Sequence, residues 1–231
     1  MRYRGLDQRT SLVRFGMPAI AAGIVLGATL PGVVSGVLTV LAANPSGLPW
    51  LFERLFAWLA YLAMTLSVVF GLLLSSKALD AIAHRPVNFT LHQELASAGL
   101  GLAAVHGALL GLDASMPFSV VQILVPGQAP YAPLAVGIGQ LTLYLTAVVT
   151  ASFYLRRRIG QRAWRALHYL TFLVFVGSSV HGIAAGTDSR QAWAQWIYLA
   201  AMTAVAFLLA YRIGISVAER AGRRARSASA S

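Results

Sequence analysis

The chain has 231 residues, of which 58% are hydrophobic and 11% charged, with a formal net charge of +11 and no cysteine. A soluble domain carries about 25% charged residues, whereas this chain has apolar runs of twenty or more, which excludes a soluble enzyme, a disordered protein and a coiled coil. The lack of cysteine removes disulfides, thiolate zinc sites and cysteine-ligated iron–sulfur clusters.

Residues 1–14 form a short N-terminal segment with Arg2, Arg4, Arg9 and Arg14. The first apolar span runs from Phe15 to Ala43. It is longer than the roughly 7–15-residue core of a signal peptide, and no twin-arginine pair precedes it, so it reads as an uncleaved span. Pro31-Gly32 predicts a tilt or kink within it, and Gly23-x-x-x-Gly27 and Gly32-x-x-x-Gly36 predict close helix packing. The stretch from Asn44 to Pro49 is a loop by its Pro and Gly content. Five more spans follow: Trp50 to Ser76, Asn88 to Gly111, Ala132 to Leu155, Leu167 to Ala185 and Ala192 to Ile213. Gly137-Ile138-Gly139 lacks the third glycine of a dinucleotide loop and lies inside a span, so it reads as no nucleotide site. Residues 214–231 form a basic tail, expected to be disordered from Arg220 onward because it is rich in Arg, Ser and Ala. The fold expected is an all-α membrane protein, a bundle of six transmembrane helices over residues 15–213.

Sixteen of the 18 basic residues fall in the four segments that alternate onto one side of such a bundle, leaving Arg54 and Arg190 for the other. The positive-inside rule then places both termini in the cytoplasm of a multi-pass protein of the cytoplasmic membrane. The charge of +11 is accounted for by topology and lipid headgroups, and no nucleic-acid partner is expected.

Ionisable residues inside a bilayer are functional candidates. Four of the five histidines qualify: His92 and His106 in the third span, His168 and His181 in the fifth. Spacings of 14 and 13 residues correspond to about 21 and about 20 Å of helix, close to two-thirds of a roughly 30 Å hydrocarbon core. The two spans run in the same direction, so His92 and His168 share one depth and His106 and His181 another. Two cross-helix pairs at two depths suit two bis-histidine b-type haems, whose iron takes a neutral imidazole on each open axial face. The angles fit less simply. Fourteen residues fall about 40° short of four turns, but thirteen fall about 140° short, so His168 and His181 share a face only if the helix is locally distorted or the two haems are offset. Gly99, Gly101, Gly107, Gly177 and Gly182 are expected to leave room for planar cofactors.

A metal-transport path would need carboxylates or further polar groups between the pairs, and Leu95 to Val105 offers only Ser97. His84 is read as an exposed loop histidine. Trp50, Trp164, Trp193 and Trp196 sit near span ends, as aromatic belts do, and Trp58 is expected in the core.

In Asn88-Phe89-Thr90-Leu91-His92, His106-Gly107, Trp164-Arg165-Ala166-Leu167-His168-Tyr169 and His181-Gly182 the chain resembles the ferric reductase-like transmembrane domain family. That family includes the membrane domains of ferric reductases and NADPH oxidases. It also includes the haem-binding membrane subunit of the bacterial periplasmic methionine-sulfoxide reductase system. The resemblance covers roughly Trp50 to Ile213 and implies transmembrane electron transfer by haem b, His92 and His168 ligating an inner haem, His106 and His181 an outer one. Arg162 and Arg165 could bind inner-haem propionates by charge-assisted hydrogen bonds, and Arg54 could do so on the outer side; the competing reading of all three is anchoring at the membrane interface, favoured for Arg162 and Arg165. About 18 residues follow Ile213, too few for the FAD and NADPH domains of the larger members. The donor is therefore expected to be a separate flavoprotein reductase or quinol, and the acceptor extracytoplasmic: ferric iron, oxygen or a redox protein. No motif calls for FMN, FAD or a bound quinone. A quinol-oxidising dihaem cytochrome and a non-redox transporter or scaffold are the competing readings.

Overall fold

In lipid a backbone must satisfy its own hydrogen bonds, and a helix does so within one segment. A computed structural model describes residues 47–78, 85–113 and 116–228, and the apolar runs among them are helical. Five helical segments are long and apolar enough to cross a membrane: Leu48–Ser76, Arg85–Leu112, Pro133–Ile159, Gln161–Ala185 and Ala192–Arg223. They are the second to sixth expected spans. The first, Phe15 to Ala43, lies outside the described residues, as do the segment 1–14 and His84.

Helix α1, Leu48–Ser76, opens with Pro49 in its first turn, where a missing N–H costs nothing. It stops at Lys77, whose φ of 59° is left-handed. Lys77 N–H bonds to Leu74 O at 3.4 Å and Ala78 N–H to Leu73 O at 3.3 Å, the paired bonds of a Schellman stop. Helix α2, Arg85–Leu109, ends in a 3-10 turn, Leu110–Leu112. A short helix α3, Val120–Leu124, is fixed by a capping box between Ser119 and Gln122. Helix α4, Pro133–Ile159, starts on Pro133 and closes with Arg156, Arg157 and Arg158, whose charges complement its C-terminal dipole. Gly160, at φ 81°, turns the chain directly into α5, Gln161–Tyr169, and α6, Thr171–Ala185.

The last helix, α7, runs Ala192–Ala228. At about 1.5 Å per residue its 37 residues reach about 55 Å, well beyond a roughly 30 Å hydrocarbon core. The tail expected to be disordered from Arg220 is thus helical to Ala228. Alanine and arginine are strong helix formers, and a helix already running costs little to extend.

Three small cores hold the bundle. Tyr61 and Leu72 of α1 meet Phe175 of α6 and Ala194, Tyr198, Ala201 and Val205 of α7. Ala60 and Met64 of α1 meet Val174 of α6, with Leu102 of α2 and Leu145 of α4 packed around them. Phe118 and Ala129 of the α2–α4 connection form the third with Val136 of α4. Large apolar side chains such as Leu141, Leu173, Leu199 and Phe207 face outward. That surface is a liability in water and suits a bilayer. The chain is a multi-pass membrane protein.

Candidate functional site

The helix directions place His92 and His168 toward the end that carries Arg85, Arg156 and Arg212, here the basic end, and His106 and His181 toward the opposite end. The two expected cross-helix pairs form. The His92 and His168 ring centroids lie 5.9 Å apart at 81° between planes. Those of His106 and His181 lie 6.2 Å apart at 65°.

The angular mismatch in the 13-residue spacing is partly relieved at Leu170. There the backbone takes a tighter turn, Leu170 N–H bonding to Leu167 O at 3.0 Å, before Val174 N–H resumes the α pattern to Leu170 O at 3.0 Å. Each tighter step adds about 20° over an α-helical one, so the turn rotates His168 part of the way toward the face of His181.

Three of the four rings are tied by Nδ1 to a backbone carbonyl: His92 to Ser67 O at 2.8 Å, His106 to Glu53 O at 3.1 Å and His181 to Ala135 O at 2.9 Å. A carbonyl only accepts, so Nδ1 carries the hydrogen and Nε2 keeps its lone pair. His92 Nδ1 also lies 3.1 Å from Ser67 Oγ, and His106 Nδ1 3.1 Å from the Glu53 carboxylate. His168 is placed differently. It stacks on Trp164, one turn earlier, with centroids 5.2 Å apart and planes at 24°. Trp164 therefore turns toward the cavity rather than serving as a belt residue, and its buried indole N–H has no hydrogen-bonding partner among the described residues.

Each pair lines its own cavity. The His92–His168 cavity, about 690 Å³, is walled by Met64, Gly71, Phe89, Thr146, Trp164 and Phe175 among others. The His106–His181 cavity is about 510 Å³. Both lie within the usual range of cofactor sites, about 300–1,000 Å³. Met64 lines both and stands between them. Gln122, Ile123 and Leu124 of α3 help to wall the second cavity. They are held there by Gln140 Nε2, which donates to Gln122 O and Ile123 O at 2.7 Å each, and by Tyr144 OH, which donates to Leu124 O.

The arginines are redistributed. Arg162 and Arg165 do not line the His92–His168 cavity; Arg85, Arg212 and Arg220 do. The last two belong to the helix that the expected disorder of the tail and the span limit at Ile213 concealed. Arg54 lines the opposite cavity, as expected, but its guanidinium is ion-paired with Asp188 and stacked over Trp50 at 4.1 Å. Asp188, which the sequence did not single out, is 8% exposed and also accepts from Trp58 Nε1 at 3.2 Å. Trp58 lies in an aromatic cluster with Tyr61, Trp193 and Tyr198.

The glycines expected to make room divide. Gly99 faces Met64, Gly177 faces Thr142 and Gly182 faces Tyr198, so these three serve helix contacts. Nothing stands within 4 Å of a Cβ built at Gly101 or Gly107. The glycines that seat the histidines are two others. A Cβ at Gly71 would lie 3.2 Å from His92 Cε1, and one at Gly139 would lie 2.5 Å from His181 Nδ1 and 2.7 Å from its Cγ. The signal for Gly139 lay in Gly137-Ile138-Gly139, set aside as a failed nucleotide loop. Gly139→Ala is expected to displace the His181 ring and lower stability by about 1–3 kcal/mol, as overpacking does. Thermal unfolding in detergent checks it, against Gly101→Ala, expected to be near neutral.

No family model, curated protein or solved structure matches the chain.

Among the described residues no group of three or more His, Cys, Asp or Glu is arranged to hold a metal ion. Each pair offers two nitrogen donors, short of the four ligands of a structural zinc site. Each couple brings two imidazoles to the lining of one cavity, a donor set that suits a metal complex supplying its remaining donors.

Proposed function

We propose that the chain is a b-type haem protein that carries electrons across the cytoplasmic membrane. The observation that carries this reading is the pair of facing imidazole couples. The centroid separations are 5.9 and 6.2 Å, and in three of the four rings the Nδ1–carbonyl bond would leave Nε2 to donate to a metal. Haem iron held by two histidines accepts and releases one electron without a change of ligand. His92 and His168 would hold the haem at the basic end, His106 and His181 the one at the opposite end.

The protein's own contribution is orientation. The carbonyls of Ser67, Glu53 and Ala135 fix three ring tautomers, and Trp164 stacks on the fourth ring. Arg85, Arg212 and Arg220 supply positive charge suited to the carboxylates of a haem at the basic end. The 16:2 distribution of basic residues supports a cytoplasmic basic end and cytoplasmic termini, with a first span at Phe15 to Ala43 completing six. A separate flavoprotein reductase or quinol is the proposed donor, and ferric iron, oxygen or a redox protein the proposed acceptor.

A reduced-minus-oxidised optical spectrum with a haem-to-protein ratio tests the reading. Protein expressed with haem supplied and purified in detergent is expected to show low-spin b-type bands at about two haems per chain. A ratio near one would make one histidine pair structural. A colourless protein would sink the reading and leave a transporter or scaffold.

A further inference from the structure

The two histidine couples differ in one respect that packing does not require. His106 Nδ1 lies 3.1 Å from the Glu53 backbone carbonyl and also 3.1 Å from Glu53 Oε1. One N–H is thus shared between a carbonyl and a carboxylate, and the Glu53 side chain is only 16% exposed. The equivalent ring at the basic end, His92, has Nδ1 against the uncharged carbonyl and hydroxyl of Ser67 among the described residues, and His181 is tied to the carbonyl of Ala135. Of the three tethered rings, His106 is the one whose Nδ1 lies beside a carboxylate. Arg54, next in sequence to Glu53, feels that charge, but the guanidinium's hydrogen bond and ion pair go to Asp188, not to Glu53.

Resting on the two-haem reading, we propose that the Glu53 carboxylate, acting through His106, holds the reduction potential of the His106–His181 site below that of the His92–His168 site. Glu53 is a positioning residue, not a ligand. A carboxylate on the far nitrogen of a ligating imidazole raises the basicity of the ligating one. The more basic ligand and the added negative charge both stabilise the oxidised, more positive metal, which lowers its potential. The opposite cavity reinforces the difference, since Arg85, Arg212 and Arg220 line it and positive charge favours the reduced form. The protein's fixed charges thus favour an electron at the basic end, and the transmembrane field, negative inside, acts the other way.

The test is a spectroelectrochemical titration of the detergent-purified haem-loaded protein at one pH. Two one-electron waves are expected, and the wave lost in His106→Ala identifies the site. That wave is expected to be the lower of the two in the wild type. Glu53→Gln, with both haems retained, is expected to raise it and leave the other in place, while Glu53→Asp keeps it near its wild-type position. The proposal is overturned if the wave lost in His106→Ala is the higher one, or if Glu53→Gln moves neither wave or both equally. Should Glu53→Gln lose haem, the wild-type order and Glu53→Asp still decide. A preparation with no Soret band overturns the two-haem reading itself, a failure distinct from two haems in the wrong order.

Discussion

On the two-haem reading, His106→Ala is expected to lose one haem of the two proposed, and His181→Ala to lose the same one. His92→Ala and His168→Ala should lose the other. The reason is geometric: each ring's facing partner is on the other helix, at 5.9 or 6.2 Å, and not along its own. Removing either ring of a couple leaves one axial donor in an apolar cavity, which is too little to keep a low-spin haem. The double variant His106→Ala/His181→Ala should be no worse than either single one, since both remove the same site. His92→Ala/His106→Ala, one from each couple, should lose both haems. Haem per chain and the difference spectrum of each variant check this. If His92→Ala and His106→Ala removed the same band, the couples would run along the helices and the cross-helix assignment would be wrong.

The second large effect is structural. Asp188→Ala is expected to destabilise the protein by about 2–4 kcal/mol, because it strands the Arg54 guanidinium and the Trp58 indole N–H without their acceptor. The lower end of that range allows for Arg54, whose side chain is 26% exposed against 11% for Asp188. Breaking one half of such a pair costs more than removing both. Arg54→Ala/Asp188→Ala is therefore expected to recover part of the loss. Denaturant unfolding followed by helical circular dichroism, in one detergent, gives the three values needed for the cycle. A strictly additive double variant would show that Arg54 and Asp188 do not act as a pair. The pair ties the start of α1 to the turn between α6 and α7, so its loss should also loosen the wall of the His106–His181 cavity.

Membrane class and the order of helices could be read from residue type alone. An apolar run of twenty residues has no alternative in lipid to a helix, so five of the six expected spans recur as long apolar helices. Limits set by local chemistry, such as Pro133 and Ser76, fell close to where they were expected. Those set by continuation did not. Ile213 looked like an end because charge begins there, but charge does not stop a helix of good helix formers, and α7 runs on to Ala228.

Depth, too, was legible. Rise per residue converts spacing into height, so the pairing of His92 with His168 and of His106 with His181 followed from 14 and 13 residues on parallel spans. What surrounds each ring did not follow, because it depends on contacts between residues far apart in the chain. The Glu53 carboxylate on His106 joins positions 53 residues apart, and Asp188 reaches Arg54 across 134. Gly137-Ile138-Gly139 marked a close approach, but not which of its glycines meets a histidine ring. Only the approach of α6 to α4 makes the missing Cβ necessary. Composition and periodicity alone determined a helical membrane protein with two levels of paired histidines. The overwound turn at Leu170, the carbonyls that fix the ring tautomers and the arginines that reach the cavity were decided by packing, since each depends on where a neighbouring helix places its atoms to within an ångström or so.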